Sequence, residues 1–206
     1  MSKALVIVES PAKAETIARY LGDGFVVDSS IGHIRDLATK KELSPELQME
    51  PWAYLGVETE NNFSPHYVIS EHSEKTVRKL KKALKGASEL YLATDEDREG
   101  EAIAWHLLEV LKPTVPVKRM VFHEITEKAI NEALSNCREV DANLVQAQET
   151  RRILDRLYGF EVSDVTRRKV GGGASAGRVQ SPTTRLLVER ERERRAFVGA
   201  NYWGLT

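Results

Sequence analysis

The chain has 206 residues, enough for one large domain or for one complete and one partial domain. Hydrophobic residues make up 41% and charged residues 30%, which is typical of a soluble globular protein, and no apolar run reaches the roughly 18 residues of a membrane-spanning helix. The single cysteine, Cys137, excludes an intrachain disulfide and a multi-cysteine zinc site. We therefore expect a cytoplasmic protein with no membrane partner.

Charge is unevenly distributed along the chain. The net charge is -1, but residues 141–206 hold 12 basic and 8 acidic residues, whereas residues 1–140 hold 18 and 23. This division suits an enzyme that holds a metal in its first part and a polyanion beside it. The alternating charges at 189–195 have another explanation, because they are also typical of a solvated helix face.

The first elements follow from apolar runs and caps. Residues 3–9 form an apolar run that ends in a carboxylate, as expected of a parallel strand buried on both faces. Ser10 and Pro11 then predict the start of a helix over 12–21. A second strand is predicted over 25–27, and the long segment 36–64 is expected to be a surface excursion.

The next elements alternate between strand and helix. The predicted segments are a strand at 66–70, a helix from Ser73 to Gly86, a strand at 90–94, a helix at 99–111, a strand at 117–122 and a helix after Thr126. This alternation predicts an α/β fold with a mainly parallel, Rossmann-like sheet flanked by helices.

Residues 93–101 read Ala-Thr-Asp-Glu-Asp-Arg-Glu-Gly-Glu and place five carboxylates directly after a predicted strand. Such a density of like charge favours a bound cation, and hard oxygen ligands favour Mg²⁺. If the chain stays extended there, Asp95, Asp97 and Glu99 point to one side. The alternative is that these acids begin a helix, with Arg98 pairing some of them.

A second carboxylate, Glu9, also follows the carboxyl end of a predicted parallel strand. Ligand sites in such sheets lie at that edge, where Glu9 and Asp95 are therefore expected to meet. This convergence favours a metal or acid–base site but does not identify a reaction.

From residue 141 the pattern is helical only. A helix is predicted over 143–158 with its end at Gly159, followed by a second piece to about 169 and a loop that begins with Gly171–Gly173. Because proline is tolerated only in the first helical turn, Pro182 places the start of the last helix near Ser181, and it runs to about 197. Residues 199–206 are expected to approach another strand.

Four motifs occur in this order: Val-Glu-Ser-Pro-Ala-Lys-Ala at 8–14, Gly-His-Ile-Arg-Asp-Leu at 32–37, the acidic segment at 93–101, and Ser-Ala-Gly-Arg-Val-Gln-Ser at 175–181. Together they resemble the amino-terminal part of bacterial type IA DNA topoisomerases, and the wording at 146–159 is most similar to actinobacterial members. The resemblance implies a TOPRIM domain over 1–140 and, over 141–206, the start of the helical domain that lines the single-strand DNA groove.

The resemblance also implies roles by position. Asp95, Asp97 and Glu99 would hold Mg²⁺, and Glu9 would be a further metal contact or the proton donor. Lys13 and Arg151 would contact the scissile phosphate. The residues implied to contact or border the DNA strand are His33, Arg152, Asp155, Arg156, Phe160, Arg168, Ser175, Ala176, Gly177, Arg178, Val179 and Gln180.

Some of these roles have simpler alternatives. Asp155 would support Arg151 four residues earlier, although an i,i+4 surface pair would have the same spacing. Gly171–Gly173 and Pro182 depart from the residues common in the family. Phe160 stands where some relatives have tyrosine, which leaves stacking but removes a hydroxyl.

The implied activity is Mg²⁺-dependent cleavage, passage and religation of one strand of negatively supercoiled DNA by a monomeric, nucleoid-associated enzyme. The family's nucleophile is a tyrosine in a Tyr-x-Arg-Thr context, which none of the six tyrosines here has. We therefore expect this chain to need the remainder of the enzyme, and to be inactive in cleavage and relaxation alone. The alternatives are a non-catalytic single-strand DNA-binding module, or another TOPRIM enzyme such as a primase or nuclease.

Overall fold

The computed structural model describes residues 3–201 and 203–204. In chain order the helices and strands are β1 (Ala4–Val8), α1 (Pro11–Leu21), β2 (Phe25–Ser29), β3 (Arg35–Leu37), β4 (Val57–Glu58), β5 (Ser64–Pro65), β6 (Tyr67–Ile69), α2 (Glu74–Lys85), β7 (Leu90–Leu92), α3 (Arg98–Leu111), β8 (Val117–Arg119), α4 (Glu127–Ser135), α5 (Ala142–Val170) and α6 (Gln180–Ala196). The predicted α/β fold followed by helices is confirmed.

Strand β1 lies inside a four-stranded parallel sheet of order β2-β1-β7-β8. All five of its side chains are buried, because helices cover both faces of the sheet. Leu5 and Ile7 belong to a core cluster with residues of α2 and α3, whereas Val6 and Val8 belong to a second cluster with residues of α1 and α4. The two clusters hold the carboxyl ends of the strands at one common edge.

The segment between β2 and α2 differs from its predicted form. Strand β6, predicted within the alternation of strand and helix, pairs antiparallel with β3 in a separate two-stranded sheet, and β4 pairs with β5 in another. The excursion also has a small core of its own, formed by Ala38, Leu43 and Ala53. Gly56 fits against Ala38 because a Cβ there would lie 2.2 Å from the Ala38 carbonyl oxygen. These buried contacts make the excursion a packed part of the fold.

The helical part is more regular than predicted. Helix α5 is continuous from Ala142 to Val170, so the predicted end at Gly159 is wrong. The glycine loop is confirmed, with positive φ at Gly171 and Gly173, and α6 begins at Gln180, one residue before the predicted start. Residues 199–201 and 203–204 form no strand, and the rest of that predicted approach, at 202 and 205–206, lies outside the described residues.

The chain divides into two compact units, Met1–Ile153 and Leu154–Thr206. The division falls within α5, whereas the domain boundary expected from the sequence at 140/141 stays a prediction. No helix among the described residues is both long and apolar enough to span a bilayer.

Candidate metal and phosphate site

The candidate site begins at the boundary between β1 and β7. These adjacent parallel strands connect in opposite directions, since α1 leads from β1 to β2 on one side and α3 leads from β7 to β8 on the other. Such a switch point leaves a crevice at the carboxyl ends of the strands. Glu9 follows β1 and Asp95 follows β7, as the sequence predicted.

Lys13 joins these two carboxylates. Its Nζ donates to Asp95 Oδ1 at 2.5 Å and to Glu9 Oε1, and the Asp95 backbone N–H donates to Glu9 Oε2 at 3.2 Å. Ser10 caps α1 by accepting from the Lys13 backbone N–H (3.4 Å), which places Lys13 in the first helical turn. Partial burial opposes the charge of Lys13, but its hydrogen bonds to Asp95 and Glu9 outweigh burial and raise the pKa of the ammonium group.

The acidic segment turns into α3 sooner than strand alternation would require. Asp97 is the N-cap residue, and its Oδ1 accepts from the Gly100 backbone N–H at 2.7 Å. Glu99 therefore lies in the first helical turn and does not continue an extended chain with Asp95. The expected alignment of the three carboxylates by alternation is not met, and the helix-start alternative describes the backbone here.

Glu99 faces basic and amide groups. Its Oε2 lies 3.2 Å from His33 Nε2 and accepts from Gln148 Nε2 at 3.2 Å, while its Oε1 accepts from Arg151 Nη1 at 3.5 Å. Three predicted site residues, Glu99, His33 and Arg151, are thus close together.

The next arginine on α5 contacts β3. Arg152 makes a two-point contact with Asp36: Nε donates to Oδ1 at 2.8 Å and Nη2 donates to Oδ2 at 2.5 Å. Asp36 lies within the second sequence motif but was not predicted as a site residue. Its contact with Arg152 could be identified only from the fold, since 116 positions separate the two residues in the chain.

A buried ion pair holds the backbone of the acidic segment in place. Arg119, at the end of β8, donates through Nε to Glu101 Oε2 at 3.0 Å, and both side chains are fully buried. Its Nη groups donate to the carbonyl oxygens of Thr94 (2.8 Å) and Asp95 (2.6 Å). Arg138 adds a second partner for Glu101. The rule that indicated Glu9 and Asp95, a polar residue at the carboxyl end of a parallel strand, also applies to Arg119.

A second polar cluster surrounds His106 of α3. Arg35 donates through Nε to His106 Nδ1 at 2.9 Å, and its guanidinium lies 5.2 Å from the centre of the Tyr67 ring and 5.0 Å from that of Trp105. Burial lowers the pKa of His106 to about 3, with the charges of Arg35 and His33 acting in the same direction. His106 is therefore a neutral acceptor that satisfies a local hydrogen bond.

In the second unit, the loop before α6 is tied to α5. Ser163 Oγ donates to the Ala176 carbonyl (3.1 Å) and accepts from the Ala176 N–H (2.9 Å), while Gln180 Nε2 donates to the Ser175 carbonyl at 2.9 Å. The Gly177 N–H donates to Ser181 Oγ at 3.2 Å. The loop from Ser175 to Gln180 is therefore held by Ser163 of α5 and by polar groups of its own, and Val179 is exposed.

The basic residues of this unit also have partners. Arg178 Nε donates to Asp155 Oδ1 at 2.7 Å and Nη2 to Oδ2 at 3.3 Å, and Arg168 pairs with Asp164. Arg156 lies over the Phe160 ring, 5.4 Å from its centre. Asp155 thus has a partner that its spacing from Arg151 did not predict, and the predicted roles of these residues toward DNA stay predictions.

The donor atoms of the acidic segment suit a hard divalent cation. Glu9, Asp95, Asp97 and Glu99 supply only carboxylate oxygens, which is the donor chemistry that Mg²⁺ prefers. Among residues 3–201 and 203–204, however, no three His, Cys, Asp or Glu side chains form a group that could hold a metal ion as they lie. The residues fit Mg²⁺ in kind, while the nearest cation to Glu9 and Asp95 is Lys13.

Two family models match the chain. One, described as a Toprim domain, matches residues 4–125, and one described as DNA topoisomerase matches residues 139–206. The DNA topoisomerase 1 of Mycolicibacterium smegmatis is 62% identical over 205 residues, covering 99% of this chain and 22% of that protein. That of Synechococcus elongatus is 58% identical over 202 residues, covering 98% and 23%.

Among solved structures, full-length topoisomerase I from Thermotoga maritima superposes with a TM-score of 0.74 at 44% identity, covering 94% of this chain and 31% of that one. The chain thus spans about a fifth of the length of the curated relatives it matches. The resemblance to type IA topoisomerases is confirmed: the chain belongs to the Toprim family, and from residue 139 it continues into the DNA topoisomerase family.

Proposed function

We propose that this chain supplies the metal and phosphate half of a type IA DNA topoisomerase that relaxes negatively supercoiled DNA. The observation that carries the proposal is the cluster of Glu9, Lys13 and Asp95 at the switch point of the sheet. A cation beside two carboxylates at the crevice is suited to a phosphodiester, whose charge must be neutralised while a proton is delivered.

In the proposed reaction a tyrosine hydroxyl loses its proton to solvent, its oxygen attacks the scissile phosphorus, and the bond from phosphorus to the 3′ oxygen breaks. A phosphotyrosyl link forms to the 5′ side, and the leaving 3′ oxygen takes a proton from Glu9. The step reverses on religation, when the 3′ oxygen attacks the phosphotyrosyl phosphorus and returns its proton to Glu9, while the bond from phosphorus to the tyrosine oxygen breaks and that oxygen takes a proton from solvent.

Lys13 and Arg151 would stabilise the negative charge that develops on the phosphate oxygens. Both side chains are partly exposed and lie at the acidic segment, Lys13 against Asp95 and Arg151 against Glu99. Arginine adds a bidentate fork that matches two phosphate oxygens. Each would exchange a carboxylate for the phosphate when DNA binds.

We propose that Asp95, Asp97 and Glu99 hold Mg²⁺, with Glu9 as a further contact. The ion, when bound, would neutralise phosphate charge and orient the strand. The test uses Mn²⁺ as a probe and measures its binding by calorimetry. Binding should be lost in Asp95→Asn and Asp97→Asn and retained in the Glu96→Gln control.

The proposed partner is a single-stranded segment of DNA, contacted by the residues from 151 to 180 that the family resemblance implies. The nucleophile would come from another part of the enzyme, which we propose acts as a cytoplasmic, nucleoid-associated monomer. Detection of a phosphotyrosyl adduct on this chain alone would contradict this division of the site.

The test is a chimera in which these 206 residues replace the matching part of the Mycolicibacterium smegmatis enzyme. We expect it to relax negatively supercoiled plasmid. Glu9→Gln should abolish strand cleavage while leaving oligonucleotide binding intact, whereas Glu15→Gln, which changes an exposed acid on the following helix α1, should leave both unchanged. Full cleavage by Glu9→Gln would remove Glu9 from the mechanism.

A further inference from the structure

Five of the six lysine and arginine side chains that we propose to contact DNA already contact a carboxylate of their own chain. The pairs are Lys13 with Asp95, Arg151 with Glu99, Arg152 with Asp36, Arg168 with Asp164 and Arg178 with Asp155. Without DNA, these five proposed phosphate-binding groups are therefore neutralised internally. This arrangement concerns the resting state, and the proposed reaction does not require it.

Solvent exposure distinguishes these pairs from the buried ion pair of Arg119 and Glu101. The side chains of Arg152 and Asp36 are 35% and 45% exposed, and those of Arg178 and Asp155 are 41% and 33% exposed. Arg119 and Glu101 are both 0% exposed. A phosphate from solvent can reach the first two pairs but not the third, and an exposed ion pair costs little to open.

The Asp36 carboxylate contacts Arg152 in the geometry that a phosphate group would use. Asp36 occupies the edge of the guanidinium formed by Nε and Nη2, with contacts of 2.8 and 2.5 Å. Two phosphate oxygens would dock on the same edge in the same way. The two anions exclude each other there, because the edge offers one pair of donors.

We infer that Asp36 competes with the DNA backbone for this edge of Arg152 and so lowers the affinity of the resting protein for polyanions, and that Asp155 acts in the same way at Arg178. The inference rests on the proposed function, because it takes both arginines as DNA contacts. A strand that also engages other proposed contacts displaces the carboxylate, whereas a polyanion that reaches a single arginine does not. Asp36 and Asp155 are thus specificity-determining residues.

The experiment measures binding of a fluorescein-labelled single-stranded oligonucleotide to this chain in EDTA, so that no chemistry takes part. Asp36→Asn keeps the oxygen that accepts the Leu37 backbone N–H at 2.7 Å and removes the charge. We expect it to bind the oligonucleotide roughly two- to fivefold more tightly, the range expected when an exposed ion pair no longer has to open. The gain for inorganic polyphosphate should be at least as large.

A double-mutant cycle with Arg152→Met separates competition from general repulsion. Under competition, Asp36→Asn gains nothing once Arg152 is removed. The matched control is Glu89→Gln, which removes one charge from a pair with Lys118 of similar exposure (41% and 33%) at the other end of β7. This variant should bind like the wild type.

Weaker or unchanged binding by Asp36→Asn, or a gain that persists without Arg152, would overturn the competition while leaving Arg152 a DNA contact. Unchanged binding by Arg152→Met alone would overturn the proposed contact as well. The cycle with Asp155→Asn and Arg178→Met repeats the test in the second unit, and thermal unfolding of each variant shows whether it is folded.

Discussion

Gly100 packs against the backbone of Asp95 so closely that a Cβ at position 100 would lie 2.2 Å from the Asp95 carbonyl oxygen and 2.7 Å from its nitrogen. No side chain tolerates such an approach to backbone atoms. Glycine at position 100 therefore allows the first turn of α3 to pack directly against the backbone of Asp95.

Gly100→Ala should force Asp95 and the first turn of α3 apart. We expect a loss of about 1–3 kcal/mol in the free energy of unfolding, as for other overpacked sites, together with weaker Mn²⁺ binding. Urea unfolding and calorimetry measure the two effects. A variant with wild-type stability and wild-type Mn²⁺ affinity would show that the close approach does not position the segment.

The ion pair of Arg119 and Glu101 makes a second prediction. Arg119→Met leaves the buried Glu101 carboxylate with one fewer partner and leaves the Thr94 and Asp95 carbonyl groups without their donor. Breaking a buried pair from one side costs about 3–5 kcal/mol. Lys118→Met, the neighbouring exposed cation, should cost less than about 1 kcal/mol. Similar losses of unfolding free energy in the two variants would contradict this role for Arg119.

His106 predicts a dependence of stability on pH. Its pKa falls to about 3 in the folded protein from an ordinary 6.5, so between these values the unfolded chain binds the extra proton. The stability that this group contributes is complete above about pH 6.5 and is lost as the pH falls toward 3. Replacing it with glutamine, which keeps an acceptor for Arg35, should reduce the slope of unfolding free energy against pH in this window.

Two measurements check the His106 prediction. Urea unfolding of wild type and His106→Gln across the window gives the two slopes, and NMR gives the titration of the ring directly. A His106 ring that titrates near pH 6.5 in the folded protein would show that burial and Arg35 do not depress its pKa.

Local sequence patterns were sufficient to predict the strands and helices that carry the site. The apolar run of β1, the Ser-Pro start of α1 and the acids after β7 each depend on neighbouring residues, and the rule for parallel strands was enough to bring Glu9 and Asp95 together. The antiparallel pairing of β3 with β6 was not predictable in this way, because it joins two short segments that lie about thirty residues apart in the chain.

The hydrogen-bond partners of the charged residues were also not predictable from the sequence. Glu101 reads as one more acid of the segment at 93–101, yet it points into the core because it lies one helical turn after the Asp97 cap. Its partners Arg119 and Arg138 come from later elements. The same holds for Asp36 and Arg152, whose contact depends on how β3 lies beside α5.

Gly159 shows where a local signal misled. Glycine is common after helix ends, and Tyr158 completes a plausible last turn, so the sequence favoured a stop. The following residues, Phe160 to Val170, include no proline or further glycine, and the helix continues through them. A single interior glycine lowers helix stability but does not end a helix.

Gly159→Ala should therefore stabilise the protein. A Cβ at this position meets nothing within 4 Å, and the backbone is not in the left-handed region, so alanine fits without strain. We expect a gain of roughly 0.5–1 kcal/mol in the free energy of unfolding, because alanine restricts the unfolded chain and favours the helix. Since Gly100→Ala makes the same chemical change where no space exists, the two variants should shift the urea midpoint in opposite directions. A loss of stability in Gly159→Ala would mean that α5 bends or opens at this residue, as the sequence alone suggested.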